Sequence, residues 1–106
     1  MSTPRIRVPR QARKGEVIEI KTLTSHPMET GYRRDDQGRL LPRRIIHTFI
    51  CTYNDTEVFR ADWHPAVAAN PYLAFHTVAA ESGQLRFEWR DDDGTIYTAT
   101  AEITVA

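Results

Sequence analysis

The chain of 106 residues is long enough for one hydrophobic core and too short for two ordinary domains, so a single domain over 1–106 is expected. With 41% apolar and 26% charged residues, the composition argues against disorder and against a fibrous repeat. The net charge of zero hides an asymmetry: residues 1–44 carry eleven basic and five acidic side chains, whereas residues 45–106 carry three and nine. Acidic residues interrupt the basic ones and no aromatic-rich basic motif accompanies them, so oppositely charged strands lying side by side explain the asymmetry better than nucleic-acid binding.

Alternation of apolar and polar residues predicts strands along most of the chain. The candidates, in chain order, are "RIRV", "GEVIEIKTLT", a short piece near Leu40 and Leu41, "IIHTFICTY", "EVFRADW", "YLAFHTVA", "QLRFEWR" and "TIYTATAEITVA". The sequences "YNDTE" and "DDDG" predict tight turns between neighbouring strands. One helical turn is predicted in "DWHPAVAANP", capped by Asp62 and ended by Pro71. This pattern predicts an all-β fold, an immunoglobulin-like antiparallel β-sandwich of about seven strands.

The segment "IIHTFICTY" shows no clear polar face. Ile45, His47, Phe49, Cys51 and Tyr53 alternate with Ile46, Thr48, Ile50 and Thr52. A strand that is apolar on both faces needs cover on both. The sandwich core covers one face, and either the chain's own loops or a second protein covers the other.

No catalytic site is predicted. Cys51 is the only cysteine, so no intrachain disulfide can form, and its apolar strand predicts a buried, inert thiol. The sequence contains neither a nucleophile elbow nor a glycine-rich phosphate loop. Asp91, Asp92 and Asp93 stand before Gly94 in a predicted turn, where carboxylates usually have structural roles.

Metal binding is the alternative function that the sequence leaves open. The four histidines, His26, His47, His64 and His76, lack the spacing of a zinc ligand set. His26 and Met28, with Cys51 as a third ligand, would suit a soft ion such as Cu(I) if folding brought them together. The alternative is therefore a metal-binding immunoglobulin-like module that uses His26 and Met28, and it is a periplasmic one if the location implied by the resemblance given below applies.

The chain shows no signal peptide and no stretch of membrane-spanning length, so no membrane insertion is expected. Taken alone, these features indicate a cytoplasmic protein. The resemblance described next changes that expectation.

Three long blocks carry a resemblance to a known family: "SHPMETGYRRDDQGRLLPRRII", "FICTYNDTEVFRADWHPAVAANPYL" and "TATAEITVA". Together they resemble SoxZ, a subunit of the sulfur-oxidation carrier complex, over nearly the whole chain. Two departures are Asn54-Asp55, where Asn-Gly is expected, and Trp63, where a smaller aliphatic residue is common.

The resemblance implies a non-catalytic, cofactor-free subunit that forms a heterodimer with SoxY. SoxY carries sulfur intermediates of thiosulfate oxidation on a cysteine of its carboxy-terminal arm. Transient contacts with other Sox enzymes are implied as well. The resemblance also implies a periplasmic location, reached without a signal peptide of its own by export together with a signal-bearing partner.

Within that resemblance, a partner interface is predicted from the loop "HPMETGYRR" and from the two-faced strand. Methionine, tyrosine and arginine are adaptable or anchoring contact residues. The predicted interface residues are His26, Met28, Tyr32, Arg33, Arg34, Phe49, Cys51 and Tyr53, with the even-numbered neighbours of the last three as the alternative face.

Overall fold

The computed structural model describes residues 4–24, 31–63 and 72–106. Within these ranges the chain forms eight strands and no helix, which confirms the predicted all-β fold. The strands are β1 (Arg5–Arg7), β2 (Gln11–Ala12), β3 (Val17–Leu23), β4 (Ile46–Tyr53), β5 (Thr56–Asp62), β6 (Tyr72–Val78), β7 (Gly83–Asp91) and β8 (Ile96–Val105). No helix in the described ranges has the length and apolarity needed to cross a membrane.

The strands form two sheets, in the orders β1-β3-β6 and β2-β8-β7-β4-β5. Neighbouring strands are antiparallel except for β2 and β8, which are parallel. The chain passes from one sheet to the other between β1 and β2, where Pro9 has no N–H to donate to a ladder. The order β8-β7-β4-β5 corresponds to the GFCC′ order of an immunoglobulin-like sandwich.

Both predicted hairpins are present, and their turn residues explain them. At the β4–β5 turn, Asn54 and Asp55 have φ angles of 47° and 68°. Positive φ at both central residues is the requirement of a type I′ turn, and Asp meets it here in place of the glycine expected. At the β7–β8 turn, Gly94 has a φ of 88° and donates its N–H to the carbonyl of Asp91 at 3.0 Å.

Phe49 lies at the centre of an aromatic cluster that fills the space between the sheets. Its ring centroid is 5.4 Å from that of Trp89 and 5.8 Å from that of Phe75. Phe59 of β5 and Phe75 of β6 stack across the two sheets at 4.3 Å. Trp63, the unusual residue just after β5, is buried and stacks near Phe49, so its bulk belongs to this core.

The predicted helical turn over residues 62–71 lies almost entirely outside the described residues. Asp62, its predicted cap, is the last residue of β5 and is in register with Thr48 of β4. The predicted short piece near Leu40 is present as an isolated bridge between Leu40 and Arg34.

Candidate functional site

Cys51 is the only thiol of the chain, and it lies in the core. Cys51 is fully buried, with 0% exposure, and this burial raises the pKa of its thiol to about 12. The thiol is therefore protonated at neutral pH and out of reach of a substrate. This geometry is that of a small core residue and provides no nucleophile.

The described histidines are engaged within the chain. His47 Nδ1 lies 2.7 Å from Thr48 Oγ1, and His76 Nε2 lies 3.7 Å from Glu19 Oε2 on the neighbouring strand. No group of three or more His, Cys, Asp or Glu side chains in the described ranges is arranged to hold a metal ion. The alternative metal site depends on His26 and Met28, which lie outside the described residues, and its third candidate ligand, Cys51, is buried.

Residues 31–34 are the described part of the predicted loop "HPMETGYRR", and they continue into a segment that is shaped by a small turn and ends at residue 45. Asp35 Oδ1 accepts hydrogen bonds of 2.9 Å from the N–H groups of Gln37 and Arg39. The Asp35 N–H donates to the Arg39 carbonyl at 2.8 Å, and Arg34 Nη1 donates to the Gly38 carbonyl at 2.7 Å. Residues 31–45 thus form a narrow arm, which is held by hydrogen bonds within it.

Tyr32 and the two arginines lie along this arm. Tyr32 is 78% exposed, and both Arg33 and Arg34 are exposed. The Arg33 carbonyl accepts the N–H of Leu41 at 2.9 Å, which closes the base of the arm. The structure therefore brings three of the predicted interface residues together on one accessible segment.

The arm is anchored to the β7–β8 turn by ion pairs. The Arg43 guanidinium donates from Nε and Nη2 to the two carboxylate oxygens of Asp92, at 2.8 and 2.9 Å. Arg44 Nη2 donates to Asp93 Oδ2 at 2.9 Å. These pairs join the basic first part of the sequence to its acidic second part, as the charge distribution predicts, and they give Asp92 and Asp93 the structural role expected of this turn.

The Asp92 carboxylate has a further partner, the backbone of Ile45. The Ile45 N–H donates to Asp92 Oδ2 at 3.1 Å, and the Asp92 N–H donates to the Ile45 carbonyl at 2.9 Å. Burial alone raises the pKa of this carboxyl, but the hydrogen bonds from Arg43 and Ile45 outweigh burial and leave the pKa below its ordinary value.

A groove of about 510 Å³ runs beside this anchor. Its walls combine the base of the arm with the β7–β8 turn. The lining residues are Arg33, Leu41, Pro42, Arg43, Arg44, Asp92 and Asp93.

The predicted interface residues of β4 lie elsewhere. Phe49, Cys51 and Tyr53 point into the core and are buried, so their side chains do not line a surface in this structure. Any contact of β4 with a partner would come from the even-numbered face, which was the alternative. Their participation in an interface stays a prediction, and in the structure their side chains lie in the core.

The even-numbered face of β4 is itself covered by the chain. Ile50 is only 6% exposed although it points away from the core cluster, and its register neighbours are Arg60 of β5 and Glu88 of β7. Arg60 pairs with Glu57 at 2.8 Å, and Arg90 pairs with Glu88 at 2.7 Å. Long charged side chains on neighbouring strands are of the type whose apolar stems shield such a residue.

The predicted site residues therefore fall into three groups. Tyr32, Arg33 and Arg34 share the arm, the three residues of β4 lie in the core, and His26 and Met28 lie outside the described residues. Residue patterns did not identify the anchor formed by Arg43 and Asp92. The signal available for it was the opposite charge of "RR" at 43–44 and "DDD" at 91–93.

Comparison with solved structures shows the fold. Superoxide reductase (neelaredoxin) from Ignicoccus hospitalis matches 98% of this chain with 80% of its own, at 19% identity and a TM-score of 0.76. The sulfur carrier protein SoxY from Chlorobium limicola f thiosulfatophilum matches 100% of this chain with 81% of its own, at 17% identity and a TM-score of 0.68. At these identities the likeness concerns the fold alone.

Comparison with protein families is more specific. No curated protein matches the chain. The family described as sulphur oxidation protein SoxZ matches residues 6–102, which is nearly the full length. The chain belongs to the SoxZ family.

Proposed function

We propose that this chain is the non-catalytic subunit of a sulfur carrier complex and pairs with a SoxY-type protein whose cysteine arm carries the intermediates of thiosulfate oxidation. The observation that carries the proposal is the family match over residues 6–102. A role in sulfur oxidation follows from the family, and the pairing and the carrier role are the parts proposed here.

The state of Cys51 supports the division of labour in this proposal. Covalent carriage of sulfur requires an accessible thiol with a substantial thiolate fraction. The single thiol of this chain is fully buried and its pKa is raised to about 12. A carrier complex containing this chain would therefore take its sulfur-bearing cysteine from the partner subunit.

The arm is the surface best suited to bind that partner. Tyr32 offers a large amphipathic side chain and Arg33 and Arg34 offer charged rims, which are the residue types that dominate binding at interfaces. The Asp35 turn and the pairing of Arg43 with Asp92 hold the arm in place. An ordered arm loses less conformational entropy on binding than a disordered one.

Co-purification tests the pairing. The chain is co-expressed with a SoxY-type protein of the same organism that carries an affinity tag, and the amount retained on the resin is measured. Wild-type chain is expected in equal molar amount with the tagged subunit. Absence of any retained wild-type chain would contradict the proposed function itself.

Variants then test the docking arm separately. Met28→Ala combined with Tyr32→Ala is expected to weaken retention by about tenfold or more, as loss of an aromatic anchor commonly does. Val17→Ala is the matched control, because Val17 is 64% exposed but lies at the end of β3 remote from the arm. Undiminished pairing of the double variant would remove the arm from the interface while leaving the pairing intact.

Location forms part of the proposal. We place the working complex in the periplasm, reached by joint export with a signal-bearing partner. A fold that needs no disulfide supports this route, because both subunits would fold in the reducing cytoplasm before export. Fractionation of cells that express the chain with and without the partner tests it: periplasmic recovery is expected only when the partner and its signal are present.

Transient contacts with the enzymes that load and unload the carrier complete the proposal. In these contacts several enzymes would bind the chain one after another, each with low affinity. The outer faces of the two sheets are the surfaces available for such contacts.

A further inference from the structure

The outer face of the three-stranded sheet carries an unusual row of side chains. The registers of β1, β3 and β6 align Arg5, Leu23 and Tyr72 in one row, and Arg7, Lys21 and Ala74 in the next. Side chains at alternate positions of a strand share a face, so all six point outward together. Leu23 and Tyr72 remain 43% and 48% exposed, which leaves an apolar strip beside three cations.

Two cations of this face lie side by side on neighbouring strands, where their like charges repel. Arg7 and Lys21 are direct cross-strand partners, an arrangement of like charges that destabilises a sheet. Glu19 relieves Lys21 through an ion pair of 3.4 Å. In the described ranges, no carboxylate lies within ion-pair distance of Arg5 or Arg7.

A groove of about 580 Å³ opens between these residues. Its floor and walls come from β1, β3 and the start of β6. The lining residues are Pro4, Arg5, Ile6, Arg7, Lys21, Thr22, Leu23 and Tyr72.

We propose that this groove is a docking site for an extended acidic segment of a partner protein. An apolar side chain of that segment packs on Leu23 and Tyr72, and its carboxylates face Arg5 and Arg7. Because alternate residues of extended chains repeat every roughly 7 Å, carboxylates two residues apart in the segment match the spacing of the two arginines. Binding would relieve the repulsion between Arg7 and Lys21.

The charge pattern favours a protein segment over a nucleic acid. Glu19 lies on the same face, in register with His76, and pairs with Lys21, so the cations of this face without a carboxylate partner in the described ranges are Arg5 and Arg7, too few to follow a continuous phosphate backbone. The exposed aliphatic side chain of Leu23 also offers nothing to a phosphate. An acidic segment with an apolar side chain contacts both the apolar pair, Leu23 and Tyr72, and the two arginines of β1.

The outer face of the five-stranded sheet provides the contrast. There Arg60 pairs with Glu57 and Arg90 pairs with Glu88, so most cations are balanced within the sheet. Arg86 is exposed on β7 between Thr52 and Thr100 and serves as a matched control arginine.

An NMR titration tests the proposal. The isotopically labelled chain is titrated with a ten-residue peptide in which glutamates alternate with leucine and phenylalanine, with a lysine-for-glutamate peptide, and with a single-stranded oligonucleotide. Saturable shifts are expected for the acidic peptide alone, centred on β1, the Leu23 end of β3 and the Tyr72 end of β6. The effect is expected to weaken as salt is raised, because exposed charges are screened.

Variants connect the shifts to the named residues. The double variant Arg5→Ser and Arg7→Ser is expected to weaken peptide binding by about tenfold, whereas Arg86→Ser changes it less than about twofold. Shifts that fail to saturate, shifts centred elsewhere, equal binding by the double variant, or tighter binding of the oligonucleotide would each overturn the proposal. The SoxY-type partner is absent from this assay, so its result is independent of the pairing proposed above.

Discussion

The guanidinium of Arg43 and the carboxylate of Asp92 form a two-pronged ion pair, with hydrogen bonds of 2.8 and 2.9 Å. The two residues are far apart in the sequence, and the pair attaches the base of the exposed arm to the β7–β8 turn. The same carboxylate also accepts the N–H of Ile45, where the chain enters the sheet. One side chain therefore fixes both the arm and the start of β4.

Removal of this pair should lower stability measurably. Asp92→Ala is expected to cost about 1–2 kcal/mol of unfolding free energy, because it leaves both the Arg43 guanidinium and the Ile45 N–H without their partner. Arg43→Ala is expected to cost about 1 kcal/mol or less, since the Ile45 bond survives. Urea denaturation of the two single variants and the double variant gives the coupling energy.

The control for this cycle is Arg60→Ala. Arg60 pairs with Glu57 on the same strand, and both side chains are largely exposed. Its loss is expected to change stability less than the loss of Arg43. A larger effect for Arg60 would contradict the assignment of Arg43 as the anchor.

Acid should weaken the same anchor. Because the pKa of Asp92 is lowered in the folded chain, its contribution is full above the ordinary carboxyl pKa of about 3.9 and is lost as pH falls through the folded value. The stability difference between wild type and Asp92→Asn is therefore expected to shrink below roughly pH 4. A difference that stays constant from neutral to acid pH in urea titrations would argue against this role.

The alternation of apolar residues was enough to predict most of the sandwich. Ile18 and Ile20 are buried as their period-two pattern predicts, and so are Leu85, Phe87 and Trp89. The strand β2 was missed because two residues carry no period, and its parallel pairing with β8 joins distant parts of the chain. Turn residues such as Asn54 and Gly94 were informative because positive φ is a local requirement.

The candidate site was harder to predict than the fold. In β4 both faces are buried, so alternation does not tell the core face from a partner-facing one, and the sequence leaves both as candidates. The register neighbours of Ile50 are Arg60 and Glu88, and their charged character in the sequence gives no sign that Ile50 is buried. Pairing of Arg43 with Asp92 depends on tertiary structure. The sequence indicates it only through the excess of basic residues in 1–44 and of acidic residues in 45–106.

The start of β7 requires a glycine at position 83. A Cβ added there would lie 1.8 Å from Asn54 Oδ1. That oxygen accepts the N–H of Gln84 at 2.9 Å, and the Asn54 Nδ2 donates to Ser82 and Glu81. Gly83→Ala is therefore expected to displace the Asn54 side chain and to cost about 2 kcal/mol of unfolding free energy.

A second substitution provides the matched control for Gly83. Asn54→Gly removes the obstructing side chain and suits the positive φ of this turn position. In that background Gly83→Ala is expected to cost much less than in the wild type. Equal costs in the two backgrounds, measured by urea denaturation, would show that the Asn54 contact is not the reason for glycine.

Cys51 provides the last test, which bears directly on whether sulfur is carried by this chain. With a pKa of about 12, its thiolate fraction near pH 8 is only ~10⁻⁴, whereas an unfolded thiol with a pKa near 8.5 is about one-quarter ionised. Burial adds a steric barrier to any reagent.

Reaction with a chromogenic disulfide reagent is therefore expected to be at least about a thousandfold slower in the folded chain than in urea, where one thiol per chain should react promptly. Incubation of the isolated folded chain with tetrathionate, which transfers a thiosulfonate group to an accessible thiolate and releases thiosulfate, should give no adduct by mass spectrometry. Rapid stoichiometric labelling of folded chain would instead place an accessible nucleophile on this subunit and would contradict the assignment of the carrier thiol to its partner.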